Sequence, residues 1–433
     1  MRAALGMMLY LLLAFAPLLL MLLSPAGPGR EPLREFAVAL GFVAIGIFAM
    51  QFVLSARLGR LKAPYGIDAV LHFHRRIALL ALGLVVAHPL LLIVVTPSRI
   101  ELLNVFTAPW RARFAVAAVV LAGAIVATSL WRERFGLQYE TWRVWHNAFS
   151  SGILLFASLH IAIAGIYTVS WKIPAFVIYV GTWAALLGYA HLAKPLLKRR
   201  HPYRVAEVRA ETPDTWTLSV RPDGHRGLRF RPGQFAWFQI GLSSFSFEEH
   251  PFSFSSSPLE GDGGFDITVK ELGDFTATIG ETKPGDVVYV DGPFGAFTTD
   301  RYPAASYAFI AGGVGITPVM SQLRTAALRG STTPTLLVYG ATTLEDLAFA
   351  DELDRLAETL ELQITYVLEK APTDWNGERG FITPEVLARV LGDPARHEYF
   401  ICGPPAMTDA VERSLIGLSV PRKRLHYERF GLV

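Results

Sequence analysis

Six stretches rich in aliphatic residues crowd the first part of this chain: roughly Ala4 to Leu23, Phe36 to Leu54, Ala69 to Val95, Phe114 to Leu130, Val144 to Thr168 and Ile173 to Leu192. Each is close to the length, about 20 residues, that a helix needs to cross about 30 Å of hydrocarbon. A lipid-exposed segment must satisfy every backbone N–H and C=O internally, so the helix is the form open to such stretches. After Lys198 the texture becomes that of a water-soluble protein, and 433 residues suggest more than one domain. The first stretch, with Arg2 before it and Ser24, Pro25, Ala26 and Gly27 after it, also has the layout of a signal peptide. Its apolar run is long for that purpose, so it reads as a retained span.

Inside these segments stand four histidines in two equal intervals, His74 with His88 and His146 with His160, each fourteen residues apart. Fourteen residues advance a helix by roughly 21 Å and return the side chain to within about 40° of the same face. Each helix therefore carries two imidazoles on one stripe at two depths. Two such helices running parallel set His74 level with His146 and His88 level with His160, giving two stacked bis-imidazole sites. That is what two b-type haems across a membrane require. A single membrane histidine is equally well read as a hydrogen bond to a neighbouring helix, but a twice-repeated interval on parallel segments is much harder to produce by packing alone. His72 and His191 have no partner at that interval and read as helix-end or solvated residues.

Basic residues of short loops set the orientation. Arg57, Arg60, Lys62, Arg75 and Arg76, then Arg132, Arg134 and Arg143, then Lys194, Lys198, Arg199 and Arg200 all fall on one side, which is therefore cytoplasmic. The opposite side has a weaker set: Arg30, Arg34, Arg99, Arg111, Arg113 and Lys172. The third and fifth spans then both run outward, so His74 and His146 form the inner pair and His88 and His160 the outer one. Arg75, Arg76 and Arg143 beside the inner pair, and Arg111 and Arg113 beside the outer one, suit either haem propionates or plain membrane anchoring. The single cysteine, Cys402, excludes an intrachain disulfide and the usual Cys-ligated zinc and iron–sulfur sites. A net charge of +3 without a lysine-rich run gives no sign of nucleic acid. The expected location is a bacterial cell (inner) membrane, with the soluble part in the cytoplasm.

From His201 to about Arg301, short β-type runs are broken by Gly and Pro: Tyr203 to Arg209, Thr215 to Arg221, Phe235 to Ile240, Pro251 to Ser256, Asp266 to Lys270 and Val287 to Asp291. This punctuation predicts a small antiparallel barrel. Within it, His250, Pro251, Phe252 and Ser253 combine an aromatic able to stack on a flat ring with hydroxyls able to bind ring edges, ribose or phosphate. Gly273, Asp274, Phe275 and Thr276 predict a helix start whose N–H groups meet a pyrophosphate. Strand packing and helix capping explain either motif as well when it is taken alone. The last third alternates strand and helix, with strands at Tyr307 to Ala311, Leu336 to Tyr339, Gln363 to Leu368 and Tyr399 to Cys402. The turn Gly312, Gly313, Val314, Gly315, Ile316, Thr317, Pro318 leads into a helical run from Val319 to Arg329. Glycines there let a phosphate approach the helix N-terminus, on the carboxyl edge of a parallel sheet where nucleotides bind. The expected architecture is a multidomain membrane protein. It comprises a six-helix transmembrane bundle (1–198), an antiparallel β-barrel domain (199–301), which the resemblance given below implies is the FAD domain, and an α/β nucleotide-binding domain (302–433).

His-Pro-Phe-Ser at 250–253, Gly-Asp-Phe-Thr at 273–276, Gly-Pro-Phe-Gly at 292–295, Ala-Gly-Gly-Val-Gly-Ile-Thr-Pro at 311–318 and Cys-Gly-Pro-Pro at 402–405 resemble the ferredoxin–NADP reductase superfamily. Joined to six spans with paired histidines, nearly the whole chain is similar to the NADPH oxidase and ferric reductase family in a minimal prokaryotic form. The resemblance implies FAD held by His250, Pro251, Phe252 and Ser253 and, at its pyrophosphate, by Gly273 to Thr276. It places the NADPH (or NADH) phosphates at Gly312, Gly313, Gly315, Thr317 and Pro318, with Cys402, Gly403 and Pro404 near the nicotinamide. In the tail Tyr427, Glu428, Arg429, Phe430, it implies that Phe430 shields the flavin until nicotinamide displaces it. Trp142 and Trp145 are candidates to lie between flavin and inner haem.

The implied activity is transmembrane NAD(P)H oxidation, from FAD through two b-type haems to oxygen outside, forming superoxide. Ferric-chelate reduction and electron delivery to a partner protein are the alternatives. Animal oxidases of this family carry an arginine in the second span and a histidine one turn beyond the outer ligand of the third, where this chain has Gln51 and Leu92. Ala341, Thr342 and Thr343 offer no arginine for a 2′-phosphate, so NADPH rests on the resemblance and NADH stays open. No EF-hand or regulatory extension is evident, and no obligate regulatory subunit is expected.

Overall fold

The computed structural model describes residues 2–23, 31–55, 67–165 and 172–429. The chain forms two compact units that meet in sequence at Pro195 and Leu196. The first holds α1 (Arg2–Leu22), α2 (Pro32–Ser55), α3 (Ile67–Val95), α4 (Trp110–Leu130), α5 (Tyr139–Ala164) and α6 (Lys172–Gly188). α6 continues through a π-turn at Tyr189–Ala193 into α7 (Lys194–Arg199).

Among the described residues, six helices are long and apolar enough to cross a membrane. Their outer faces expose Leu80, Leu90, Val94, Leu155 and Ile178. Helices that are apolar outside as well as inside suit hydrocarbon as their solvent. α2 is the most enclosed, burying Ala37 and Ala44 and setting Ile47, Ala49 and Met50 in a core with Tyr10, Ala14, Ala81, Leu154 and Trp183. α3 packs along α2 and α5 along α4, whereas α3 and α5 are not a closely packed pair.

Several helix boundaries differ from the sequence expectation, two of them with a clear cause. α4 starts one turn earlier, at Trp110, because Pro109 holds an extended backbone just before it. Arg113 then folds back on its own loop, its guanidinium donating to the carbonyls of Ala108 (2.7 Å) and Phe106 (2.9 Å) and lying over Trp110. α5 stops at Ala164 because Gly165 turns left-handed (φ 66°). Arg30, Arg57, Arg60 and Lys62 lie outside the described residues.

The second unit begins with β1 (Tyr203–Thr212), β2 (Thr215–Pro222), β3 (Phe235–Ile240), β4 (His250–Ser253), β5 (Phe265–Lys270) and β6 (Val287–Phe294). They form one antiparallel sheet in the order β4-β3-β6-β1-β2-β5. A bridge between Phe254 and Ile267 ties its two edges, curling it into a barrel. Its core includes Val205, Leu218, Phe238, Phe254 and Ile267.

A second, all-parallel sheet follows in the order β10-β9-β8-β7-β11-β12. Its strands are β7 (Tyr307–Gly312), β8 (Thr335–Ala341), β9 (Leu362–Leu368), β10 (Glu378–Arg379), β11 (Glu398–Gly403) and β12 (Leu425–Arg429). The helices α8 (Thr317–Leu328), α9 (Ala350–Thr359), α10 (Pro384–Leu391) and α11 (Pro405–Gly417) accompany it. Each face of the sheet has its own core, one around Phe309, Leu337 and Leu353, the other around Ile310, Val338 and Ile401.

α8 fastens this sheet to the barrel. Ser321 Oγ donates to the Ser256 carbonyl (2.7 Å), Ser257 and Thr325 share a hydroxyl bond (2.8 Å), and Arg324 donates to the Ser255 carbonyl (2.8 Å). The same guanidinium forks onto Glu352 at 2.6 and 2.7 Å, with only 13% of its side chain exposed. Burial raises the Glu352 carboxyl, but the fork with Arg324 outweighs it, so the carboxyl lies below its ordinary value. Removing one partner of a largely buried pair costs about 3 kcal/mol or more. Arg324→Ala is therefore expected to lower the melting temperature of this unit. Because the carboxyl is depressed, the stabilisation is present above its unfolded value of about 4.3 and fades as pH falls through the lower folded value. The gap between the two melting curves should accordingly narrow in acid to what the pH-independent Ser255 bond contributes, and a gap that does not narrow would contradict the assignment to the ion pair.

Candidate functional site

In the membrane unit, helix packing brings the four histidines together in two pairs. The His74 and His146 rings stand with centroids 6.3 Å apart at 44°. Two histidine nitrogens on one metal at about 2 Å each would put ring centres roughly 6 Å apart, so this pair already has the spacing of a bis-imidazole site. His88 and His160 lie within electrostatic range of each other. α3 and α5, which carry these pairs, are not packed closely on each other.

The other ring nitrogens decide how these side chains are held. His88 Nδ1 bonds the Ala37 carbonyl at 2.7 Å and His160 Nδ1 the Arg111 carbonyl at 2.8 Å. His146 Nδ1 meets Ser129 Oγ at 3.4 Å; that hydroxyl donates to the Ile125 carbonyl (2.6 Å) and accepts from Trp142 Nε1 (3.3 Å). With Nδ1 engaged, Nε2 of each ring is left for iron, the usual outer-shell arrangement of a ligating histidine. His74 differs: its Nδ1 is buried without a hydrogen-bond partner. Among the described residues no group of three or more His, Cys, Asp or Glu could hold a metal ion. The chemistry here is thus that of histidine pairs, which suits haem.

Trp142 packs on the His146 ring (4.9 Å between centroids), while Trp145 is 53% exposed and packs on Phe149. Arg75, Arg76 and Arg111 have exposed side chains. Arg113 is committed to its own loop, which weakens it as a propionate partner. Gln51 stands apart from the outer pair. His88 packs against Ala37 and Gly41 at the start of α2, so that end of α2 is level with the outer pair. Gln51 lies fourteen residues beyond Ala37, about 21 Å along the helix, at the level of His74. It therefore does not line an outer acceptor site.

In the barrel, His250, Pro251, Phe252 and Ser253 form β4. The His250 ring stacks on Phe275 at 3.8 Å and 12°, which brings the two motifs side by side. Ser253 Oγ is buried and has no hydrogen-bond partner, so it fits a polar atom of a bound ligand. Gly273 has open space above it. The predicted helix start is instead a short 3-10 turn, Thr276–Glu281. The Thr276 hydroxyl accepts the N–H groups of Leu272 (2.8 Å) and Gly273 (2.9 Å), so those two donors are already used. Asp274 is exposed.

At the carboxyl edge of the parallel sheet, the turn after β7 and the turn after β11 press on each other. A Cβ on Gly312 would strike Met407, and one on Gly315 would strike the Cys402 carbonyl. A Cβ on Gly403 would come within 2.6 Å of Met407 Cε. Gly312, Gly315 and Gly403 are therefore glycine because two turns touch there. Gly313, at φ 54° with nothing within 4 Å, is the one open to a ligand. Thr317 donates its hydroxyl to the Val314 carbonyl and opens α8 with Pro318. Pro404 is exposed before α11.

β12, which has no clear apolar signal, pairs Glu428 with Cys402 and Arg429 with Gly403. Cys402 is fully buried and Glu428 is 8% exposed. Glu428 Oε2 lies 3.6 Å from where a Cβ on Gly295 would stand, so the tail reaches the Gly-Pro-Phe-Gly turn of the barrel. Phe430 lies outside the described residues.

Comparison with known proteins agrees with this layout. Residues 40–157 match the family described as "Ferric reductase like transmembrane component", residues 200–298 "FAD-binding domain", and residues 309–413 "Oxidoreductase NAD-binding domain". Over 240 residues the chain is 33% identical to "Ferredoxin--NADP reductase B" of Sorangium cellulosum, covering 52% of this chain and 96% of that one. It is 36% identical over 180 residues to "NADH-cytochrome b5 reductase 1" of Meyerozyma guilliermondii, covering 39% of this chain and 63% of that protein, less than two thirds of its length. The solved flavohemoglobin of Malassezia yamatoensis, with bound FAD and heme, is 17% identical with a TM-score of 0.50. It covers 93% of this chain and 99% of that one, a likeness of fold alone.

Proposed function

Because the chain belongs to the ferric reductase and NADPH oxidase family, a transmembrane NAD(P)H-dependent oxidoreductase with a ferredoxin–NADP reductase-type module, we propose that it moves electrons from cytoplasmic NAD(P)H through FAD and two b-type haems to oxygen outside, forming superoxide. The observation that carries this reading is the His74 and His146 pair at 6.3 Å, together with outer ligands whose Nδ1 atoms are already held. FAD, when bound, takes two electrons as hydride and releases them singly, and each haem iron carries one.

The roles of the residues follow from their places. His74 and His146 hold the inner iron, His88 and His160 the outer one. His250, Phe252 and the unpartnered Ser253 hydroxyl receive the flavin, with Gly273 to Thr276 beside its pyrophosphate. Gly313 and the first turn of α8 receive the nucleotide phosphates, which favour a helix N-terminus. Cys402 and Glu428, neighbours across β11 and β12, back the nicotinamide, and the family resemblance assigns the cover of the flavin face to Phe430. The three functional regions take the boundaries 1–198, 199–301 and 302–433. With the soluble part in the cytoplasm of a bacterial inner membrane, electrons leave while protons stay. A negative-inside potential then assists each electron by about 2.3 kcal/mol per 100 mV for a full crossing.

The second reading, ferric-chelate reduction, is favoured by the family matched at residues 40–157. One experiment separates them. The purified, FAD-supplemented protein is reduced with NADPH or NADH without air, and haem reoxidation is followed after adding air or ferric chelate in separate runs. Fast reoxidation by air with superoxide appearing is the expected result. Reoxidation mainly by chelate makes the protein a ferric reductase, and reoxidation by neither makes it a conduit to a partner protein.

A further inference from the structure

We infer that α2 is the positioning helix for both haem ligands of α3, with Gly41 opening the Ala37 carbonyl to His88 and Gln51 serving His74; this rests on the haem reading above. The outer half of the device is directly visible. His88 Nδ1 donates to the Ala37 carbonyl at 2.7 Å, across the surface of Gly41. A Cβ on Gly41 would stand 3.0 Å from His88 Nδ1 and 3.2 Å from its Cε1, tighter than carbon comfortably approaches a ring. Only the missing side chain lets the imidazole reach a backbone carbonyl that helical bonding already uses.

The inner half follows from register. Gln51 is fourteen residues after Ala37, and His74 is fourteen residues before His88. On two packed helices joined at Ala37 and His88, equal steps in opposite chain directions bring Gln51 and His74 to the same level on facing stripes. The neighbours agree, since Ala49 and Met50 share a cluster with Phe73 and Ile77. Gln51 is 7% exposed, and both its Oε1 and its Nε2 lack partners; His74 Nδ1 is the one ligand nitrogen of its kind with none. Buried polar atoms are very rarely left unpaired. A rotation of the Gln51 amide, or one bridging water, satisfies both groups. The amide oxygen then fixes the His74 ring and raises its basicity, as outer-shell acceptors do for ligating histidines. A more basic ligand favours ferric over ferrous iron, so Gln51 holds the inner haem at a lower potential than it would otherwise have.

The test is a redox titration of the haem spectrum of full-length, haem-loaded protein in detergent. Wild type should show two low-spin haems per chain, and His160→Leu identifies the surviving component as the inner one. Gln51→Leu is expected to raise the potential of that inner component and to weaken its haem retention roughly tenfold. Gln51→Glu is expected to lower the inner potential, and Gly41→Ala to move the outer component alone. If both Gln51 variants keep two haems with unchanged potentials, or shift the component that His160→Leu removes, the inference is wrong. A wild-type protein lacking two low-spin haems would overturn the haem reading itself, before any variant is made.

Discussion

Replacing His146 with alanine is expected to remove one haem per chain and to bring NAD(P)H-driven reduction of any outside acceptor down to background, while NAD(P)H still bleaches the flavin. The expectation comes from position. His146 faces His74 at 6.3 Å, and its ring is steadied by the Ser129 hydroxyl and the Trp142 indole. Among the described residues no third metal-ligating side chain stands ready to replace it. The change sits in the membrane unit, whereas the flavin and nucleotide motifs belong to the other unit, so chemistry there should continue. Haem absorbance per protein, rapid-mixing flavin spectra and acceptor reduction read the three parts separately. His72→Ala is the control, because His72 is exposed and lies off the paired stripe. A His146→Ala protein with its full complement of low-spin haem would show that the iron is held elsewhere.

What could be read from the sequence, and what could not, divides along the range of the forces involved. The spans were legible because hydrocarbon imposes a length and composition on each helix independently of its neighbours. The histidine pairs were legible because the helix repeat converts an interval into a face. The central strands of both sheets were legible from apolar runs between Gly and Pro, as at Phe235–Ile240, where every residue is buried. β12 was not, since Leu425 to Arg429 is an edge strand with a mostly polar sequence, and only pairing with β11 makes it a strand. The first turn of α4 was hidden because Arg111 and Arg113 look like loop residues until Arg113 is seen tied to the carbonyls of Phe106 and Ala108. Nothing in the sequence marked the Thr276 hydroxyl as the acceptor of two N–H groups of its own turn. Ser129, Gly41 and Met407 matter through contacts with residues far along the chain or on another helix, and no local pattern marks them.

Gly315→Ala is expected to cut the rate of flavin reduction by NAD(P)H on the order of 100-fold, while haems reduced chemically are reoxidised as in wild type. The added methyl would collide with the carbonyl of Cys402, which is backbone and cannot rotate away. Either the turn after β7 or the end of β11 must move. β11 lies between β7 and β12, and in it Cys402 is the register partner of Glu428. A displacement of about 1 Å of groups that position a reactant is enough for a loss of that size. Gly313→Ala is the instructive contrast. Nothing lies within 4 Å of its Cβ position, so its cost is that of a left-handed backbone (φ 54°), about 1 to 2 kcal/mol. If the glycines served phosphate approach alone, Gly313→Ala would be the more damaging change and would act mainly on KM. If the touching turns set the nicotinamide's place, Gly315→Ala is the more damaging and lowers the flavin-reduction rate even at saturating nucleotide. Stopped-flow flavin bleaching across nucleotide concentrations distinguishes the two, and wild-type rates in Gly315→Ala would refute the role given to the contact.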